Sequence, residues 1–227
     1  MKYSKYSYLG VVVVIIIFAI IFLPRIKNRI VNEEIVDVDR HKLERKSLQR
    51  ELTTIGNKTI PAFQFVNQHG DTITNTTYSD KVYVVDFFFT SCATICPVMT
   101  TNMLMVQEAF KDEEHFGIAS FSIDPTYDTP TILKQYAEGY GATHPNWHFL
   151  TGEKKKIHDL ANTSFNIYAA ENPEIEGGFE HQGYFALIDK NGKVRSRVDE
   201  NNNPIIYYYG IEEKQVEMLI EDIKKLL

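Results

Sequence analysis

The sequence is poor in cysteine. Cys92 and Cys96 are the only two in 227 residues, and both lie in the stretch TSCATICPVM. Two cysteines cannot form a disulfide framework, and no second pair is present to complete a four-cysteine structural zinc site. The thiol chemistry of this chain therefore depends on a single pair, in which three residues separate the two cysteines.

Positive charge is scarce in the larger part of the chain. Residues 56–227 contain 14 Lys and Arg against 24 Asp and Glu, whereas residues 1–55 contain ten against six. A surface this acidic repels a phosphate backbone, so nucleic acid is excluded as an expected partner. The length of 227 residues and the hydrophobic content of 44% are enough for one well-buried domain.

Long uncharged hydrophobic runs are absent except at the N-terminus, where LGVVVVIIIFAIIFL covers Leu9–Leu23. With the three residues before it, the run approaches the lower limit of about 17 residues for a helix that spans a bilayer. A cleaved signal peptide is the alternative, because Lys2 and Lys5 precede the run, but no small-x-small cleavage site follows it. We expect an uncleaved membrane anchor over residues 1–29, whose orientation stays open because both flanks are positive.

Composition and periodicity divide the rest of the chain into two parts. Residues 30–55 are polar and charged, which is typical of a stalk, and residues 56–227 have the pattern of one globular domain. The continuous apolar runs KVYVVDFFFT and GIASFSID indicate strands buried on both faces, and helical periodicity follows each. A hairpin with Asn191-Gly192 at its turn and an amphipathic C-terminal helix complete the pattern. The sequence therefore predicts an α/β fold, a mixed sheet covered by helices.

The two cysteines lie where a predicted strand ends and a helix begins. Functional groups of open α/β sheets gather at the carboxyl ends of strands, and i, i+4 spacing puts both sulfurs on one face of a coiling loop. The positive end of the helix dipole stabilises thiolates, so we expect accessible, thiolate-prone sulfurs. Such a pair either cycles with a disulfide or binds a soft metal; two buried structural cysteines are the third alternative.

A site with two thiolates has room for a third ligand, and imidazole is a common ligand for copper. His181 comes shortly after two glycines and three residues before the first residue of the predicted strand YFALIDK, where it can swing towards a facing helix N-terminus. The pattern makes it a candidate ligand and leaves its role open. The other six are weaker candidates: His41 lies in the stalk, His69 in a turn and His158 on a helix, and surface positions near element edges are expected for His115, His144 and His148.

Three separated motifs occur together in one order. A C-x-x-x-C-P motif heads the first main helix, SIDPTYDTP follows the next strand, and a histidine precedes YFALIDKNG, all after an N-terminal hydrophobic segment. In this order they resemble the SCO/SenC family, thioredoxin-like copper-binding assembly factors of cytochrome c oxidase, over residues 57–227. The resemblance implies a thioredoxin-like fold, with the N-terminal segment as a transmembrane helix.

The resemblance also implies roles for individual residues. Cys92, Cys96 and His181 match the family's copper ligands, and Asp124–Pro125 matches its D-P loop. Copper is the expected metal, as Cu(I), Cu(II) or both. Glu180, directly before the histidine, is expected to be a hydrogen-bond acceptor for it.

Two functions of different classes follow. The first, implied by the resemblance, is a copper metallochaperone that delivers copper to the copper centre of a cytochrome c oxidase subunit. Other copper chaperones or thioredoxin-like reductants are further expected partners. The second is a thiol-disulfide oxidoreductase in which Cys92, as the more exposed thiol, attacks a disulfide of that subunit or of another exported protein, and Cys96 resolves the mixed disulfide. Both place the domain outside the cytoplasm, on the periplasmic side. His181 discriminates between them, because dithiol exchange does not require it.

A peroxidase related to the peroxiredoxins is a weaker third interpretation. No T-x-x-C peroxidatic motif is present at either cysteine.

Overall fold

The computed structural model describes residues 12, 14–18, 20–21, 51–56, 59–175 and 178–227, and the chain divides into two units, Met1–Lys46 and Ser47–Leu227. In the first unit, residues 12, 14–18, 20 and 21 are helical. Among the described residues, no helix has the length and apolar character needed to cross a membrane. The rest of the predicted anchor, and the predicted stalk as far as residue 50, lie outside the described residues.

The second unit alternates strands and helices along the chain. Its elements, within the described residues, are β1 (Thr53–Thr54), β2 (Gln64–Val66), β3 (Thr72–Thr74), β4 (Val82–Phe88), α1 (Cys96–Ala109), β5 (Phe116–Ser122), α2 (Pro130–Tyr140), β6 (Trp147–Leu150), α3 (Lys154–Asp159), β7 (Ala169–Glu171), β8 (Phe179–His181), β9 (Tyr184–Ile188), β10 (Val194–Ser196), β11 (Tyr208–Tyr209) and α4 (Glu213–Leu226). A short 3-10 helix, Asn75–Tyr78, follows β3, and a π-helix, Leu160–Phe165, continues α3.

The main sheet has the strand order β1-β10-β9-β4-β5-β6, and β11 also pairs with β9. Strands β4, β5 and β6 are parallel to one another, whereas β9 runs antiparallel to β4. The parallel strands are joined by α1 and α2, because a parallel connection needs a long crossover. Every residue of β4 and β5 is buried, which explains why both strands are mostly apolar. The mixed sheet with helices confirms the predicted fold class.

Local signals in the sequence set the ends of the helices and the main hairpin. Pro97 is the second residue of α1, where its missing N–H costs no hydrogen bond. The hydroxyl of Thr129 accepts from the N–H of Ile132 at 3.4 Å and caps α2, which ends at Gly141 with a φ of 77°. Gly192 also has a positive φ, 71°, in the turn between β9 and β10. Both the helix and the hairpin were expected at these positions.

Two small parts of the fold are not evident in the sequence pattern. β1 joins the main sheet by pairing Thr53 with Ser196, so the folded unit includes residues before position 56. β7 and β8 pair with each other as a separate two-stranded sheet. Strands of two or three residues are too short to show alternation in a sequence.

Candidate metal centre

The two cysteines lie beyond the carboxyl end of β4. The strand ends at Phe88, a short loop carries Cys92, and Cys96 is the first residue of α1. The N–H of Cys92 donates to the carbonyl of Phe89 at 3.3 Å, which turns the chain as it leaves the sheet. The strand-loop-helix arrangement expected around the pair is confirmed.

His181 reaches the same point from a distant part of the chain. It is the last residue of β8, and its Nε2 atom lies 3.2 Å from the Sγ atom of Cys96. One ligand atom from each of Cys92, Cys96 and His181 can be chosen so that all three lie within 4.8 Å of one another. The imidazole also packs against the ring of Phe89, with centroids 5.6 Å apart. The structure therefore brings together the three site residues that the sequence suggested.

Both thiols are buried, so the expectation of accessible sulfurs is wrong. The exposed fraction is 7% for Cys92 and 1% for Cys96. The sequence suggested exposure because it shows only the loop and the helix start, whereas the strand that carries His181 comes into contact with Cys96. Of the two, Cys92 is the more exposed thiol, as predicted.

The two thiols differ in acidity. The hydrogen bond from the Cys96 thiol lowers the pKa of Cys92, and hydrogen bonds with His181 and with the Thr94 hydroxyl, 3.5 Å away, lower it further against the opposing effect of burial. The pKa of Cys96 is raised, because this thiol donates to Cys92, is buried and faces the charge of Cys92. The expected thiolate character therefore holds for Cys92 and not for Cys96, since two adjacent anions repel each other.

The donor set fits a soft metal ion. Two sulfurs and one imidazole are ligands that copper accepts, and the thiolates in particular suit Cu(I). The Nδ1 atom of His181 is buried and has no hydrogen-bond partner among the described residues. An unpartnered buried polar atom is unusual in a folded protein, and here the ring lacks the hydrogen bond at its second nitrogen that most metal-binding histidines make.

Glu180 does not take the place predicted for it beside His181. Its carboxylate accepts instead from the side-chain amide of Asn172 at 3.5 Å. Successive side chains of a strand point to opposite faces, so neighbouring residues of β8 diverge. The prediction of a hydrogen bond between them is wrong for this reason.

A buried carboxylate that the sequence pattern did not identify holds the cysteine loop. Asp128 is fully buried and accepts hydrogen bonds from the N–H of Thr90 at 3.1 Å, from the Thr90 hydroxyl and from the Ser122 hydroxyl. Thr90 lies two residues before Cys92. In the predicted D-P loop, the carbonyl of Asp124 accepts from the N–H of Asp128 at 2.9 Å, which turns that carboxylate inward. The sequence feature that could have identified Asp128 is that it is the second Asp in SIDPTYDTP.

The other histidines that the structure describes do not join the metal-ligand cluster. His144 is buried, not at the surface as expected: its Nε2 lies 3.2 Å from the carbonyl of Phe110, and burial lowers its pKa. Burial also lowers the pKa of His148, to about 4. The His144 side chain is therefore buried and that of His148 is half-buried, and His41 lies outside the described residues.

The fold and the site define a class of protein. The mixed sheet is covered by helices, and two thiols and one imidazole meet beyond the end of a central strand. This arrangement is that of a thioredoxin-like protein that can exchange disulfides or bind a soft metal. The chain matches the SCO1/SenC family model over residues 53–215, and it belongs to this family.

Named relatives agree with this assignment. The SCO1 protein homolog of Bacillus subtilis (strain 168) is 35% identical over 170 residues, which is 74% of this chain and 82% of the relative. The solved structure of BsSco, described as a member of the Sco family of cytochrome c oxidase assembly proteins with a disulfide switch, has a TM-score of 0.64 at 33% identity and covers 78% of this chain and 97% of its own. The structure of Bradyrhizobium japonicum ScoI, solved with copper bound, has a TM-score of 0.58 at 25% identity and covers 75% of this chain and 100% of its own.

Proposed function

We propose that this chain binds one copper ion through Cys92, Cys96 and His181 and delivers it to the copper centre of a cytochrome c oxidase subunit. The observation that carries the proposal is the convergence of the three ligand atoms within 4.8 Å. Membership of the SCO1/SenC family supports the choice of copper, as does a relative solved with copper bound. The set of two thiolates and one imidazole accommodates Cu(I), and Cu(II) is the alternative state of the cargo.

Each residue has a distinct part in holding the cargo. Cys92, whose pKa is lowered mainly by the hydrogen bond from Cys96, offers a thiolate at once. Cys96 gives up its proton as the metal binds, because a thiolate is the form that coordinates. His181 adds a neutral imidazole nitrogen and completes the set. Delivery then proceeds by ligand exchange: thiolates of the acceptor replace these ligands one at a time, and the oxidation state of copper does not change.

We propose further that residues 1–29 anchor the chain in a membrane and that the domain works outside the cytoplasm, on the periplasmic side. The uncharged run Leu9–Leu23 and the oxidase as expected acceptor support this placement. Membranes washed with alkaline carbonate should retain the full-length chain, and protease added to intact spheroplasts should digest residues 56–227. Recovery of a soluble form that starts after Pro24 would contradict the anchor.

A thiol-disulfide oxidoreductase is the second candidate, and the unequal acidity of the two thiols favours it. The thiolate of Cys92 would attack a disulfide of the target, form a mixed disulfide and release one target thiolate. Cys96 would then lose its proton, attack Cys92 and release the second target thiolate. The target gains two electrons, and this chain is left with a Cys92–Cys96 disulfide.

Replacement of His181 separates the two candidates. In a copper titration of the reduced full chain, we expect His181→Ala to weaken binding by orders of magnitude while the two cysteines still form and break their disulfide. His69→Ala, at an exposed histidine, is the matched control and should bind copper as wild type does. In cells, His181→Ala should fail to support oxidase assembly. If it supports assembly fully while Cys92→Ser does not, the oxidoreductase function replaces copper delivery.

A further inference from the structure

His181 sits on a hairpin that does not belong to the main sheet. In the described part of the chain, β7 and β8 pair only with each other, and each has three residues. An isolated two-stranded hairpin is marginally stable in water. Contacts other than strand pairing must therefore fix the position of the histidine.

One set of contacts holds the first residue of β8. The ring of Phe179 packs against Phe89, with centroids 5.5 Å apart, and against His158 at 6.3 Å. The ammonium group of Lys154 lies 5.5 Å from the same ring. These contacts seat β8, but they do not reach the outer edge of β7.

Among the described residues, the main-chain groups at the outer edge of β7 are bonded by the side chain of Asn162, while the carboxylate of Glu171 at the end of β7 pairs with Lys154. Its amide nitrogen donates to the carbonyl of Ala169 at 2.8 Å, and its oxygen accepts from the N–H of Ala169 at 3.1 Å. The amide thus satisfies both main-chain groups of one residue, as a neighbouring strand would. Ala169 is the residue that lies opposite His181 in the register of the hairpin.

The Asn162 amide is itself oriented by the body of the protein. Its nitrogen also donates to the carbonyl of His158 at 2.9 Å, and the residue lies in the π-helix. Such helices are uncommon and are frequently found at functional sites. A chain of direct contacts therefore runs from α3 through Asn162 and Ala169 to His181.

We propose that Asn162 is a positioning residue that holds His181 at the two thiols. The inference rests on the proposed copper site, and it adds a residue that touches neither the copper nor its ligands. Because the Asn162 side chain is exposed, its removal leaves no cavity in the core. Its effect on copper is therefore separable from an effect on the fold.

A double-mutant cycle on the full chain tests this proposal, with Cu(I) affinity measured by competition against a chelator. Losing a hydrogen-bonded tie should weaken affinity by about tenfold in Asn162→Ala. In the His181→Ala background, the same substitution should change affinity by less than about twofold, because no histidine remains to be positioned. The urea midpoint of the metal-free protein, measured in parallel, should shift equally in the two backgrounds, which separates loss of structure from loss of positioning.

The controls separate this proposal from the copper function and from simple loss of structure. Asn75→Ala removes the same kind of two-point contact outside the metal centre, with the N–H of Phe63 at 2.6 Å and the carbonyl of Pro61 at 3.0 Å, and should leave affinity unchanged. Asn162→Gln keeps the amide donor and acceptor on a longer side chain and should fall between wild type and Asn162→Ala, which gives a result even if the alanine variant is poorly folded by circular dichroism. Equal losses in both backgrounds, or no loss in the wild-type background, overturn the proposal and leave copper binding in place. If His181→Ala itself binds copper normally, the proposed function fails and this inference with it.

Discussion

The carboxylate of Asp128 holds Thr90 at two points, its main-chain N–H at 3.1 Å and its hydroxyl, although the two residues lie 38 positions apart. Through this pair, the loop after β5 fixes the chain two residues before Cys92. Cys92, the first of the proposed copper ligands, is thus held in position from outside its own loop.

Replacement of Asp128 should therefore affect both stability and copper binding. Asp128→Ala leaves a buried N–H and two hydroxyls without their acceptor, and we expect the free energy of unfolding to fall by about 3 kcal/mol. Copper affinity should fall as well, because the loop before Cys92 loosens. Asp128→Asn keeps one acceptor and should show a smaller loss of each. Urea denaturation and copper titration check this, with the exposed Asp112→Ala as control; unchanged copper affinity in Asp128→Ala would contradict it.

The thiols should react at different rates with an alkylating agent. In the reduced, metal-free protein at pH 6, we expect iodoacetamide to modify Cys92 well before Cys96, because only Cys92 has a lowered pKa and it is the more exposed. Cys96→Ala removes the hydrogen bond that contributes most to this shift. The pH profile of Cys92 alkylation should then move to higher pH. Mass spectrometry of the labelled peptides gives both rates; faster labelling of Cys96 would refute the assignment.

Asp86 should make stability depend on pH. Burial raises the pKa of this carboxyl from 3.8 to about 7, against the lowering effects of a hydrogen bond from Ser120, 2.6 Å long, and of His181. Between these pH values the folded chain keeps a proton that the unfolded chain has lost. The contribution of Asp86 to stability is therefore greatest near pH 4 and falls as pH rises towards 7, by up to about 4 kcal/mol.

Comparison with Asp86→Asn isolates this contribution, since the amide stays neutral and its oxygen can still accept from Ser120. The two proteins should have similar free energies of unfolding near pH 4, and the variant should become the more stable one above pH 7. Urea denaturation at several pH values measures the difference in free energy of unfolding between the two proteins. The contributions of the other titrating groups are the same in both and cancel. A difference that does not vary with pH would show that Asp86 is ionised throughout.

A buried ion cluster around Asp222 of α4 should be important for the stability of the fold and not for copper binding. Asp222 is fully buried and accepts from Arg197 at 2.6 Å, from the Tyr208 hydroxyl at 2.7 Å and from Lys225 at 2.7 Å. Asp222→Ala leaves the buried Tyr208 hydroxyl without its acceptor while Arg197 keeps Glu221, 2.9 Å away, as a partner, so the free energy of unfolding should fall by about 3 kcal/mol. Thermal unfolding measures this loss, and the copper stoichiometry of the folded protein should not change.

The control for that prediction is an exposed ion pair. Lys134 and Glu138 lie one helical turn apart on α2, with 3.9 Å between their charged atoms and both side chains more than half exposed. Lys134→Ala should cost less than about 0.5 kcal/mol. Equal losses in the two variants would mean that the Asp222 cluster is no stronger than a surface pair.

The central strands and the helix ends could be predicted because their signals are local. β4 and β5 are mostly apolar, and proline, threonine and glycine mark the ends of α1 and α2 within a few residues of where they act. The position of Cys92 and Cys96 follows from the same local pattern. Local sequence patterns were therefore enough to predict the central strands, the helix ends and the positions of two of the three site residues.

The rest of the site depends on contacts between distant residues. His181 meets Cys96 across 85 positions, and nothing in the composition around either residue encodes that distance. The family resemblance supplied this pairing, and the pattern alone left it open. Asp128 and Asn162 were missed because each acts through hydrogen bonds to the main chain of another segment, which leave no mark in hydrophobic periodicity. Burial of the thiols was also missed, because it depends on contact with the distant strand that carries His181.

The separate hairpin of β7 and β8 makes the site modular. The two thiols, the strand before them and the helix after them all belong to the main sheet and its cover, whereas the hairpin contributes a single imidazole. Mutation can therefore alter the histidine arm while the strand and helix that place the two thiols stay intact, although Cys92 loses the hydrogen bond with His181 that lowers its pKa. A lineage built on this scaffold can gain or lose a metal while keeping both thiols, and an engineer can graft a different ligand at position 181 provided that Phe179 keeps its contact with Phe89.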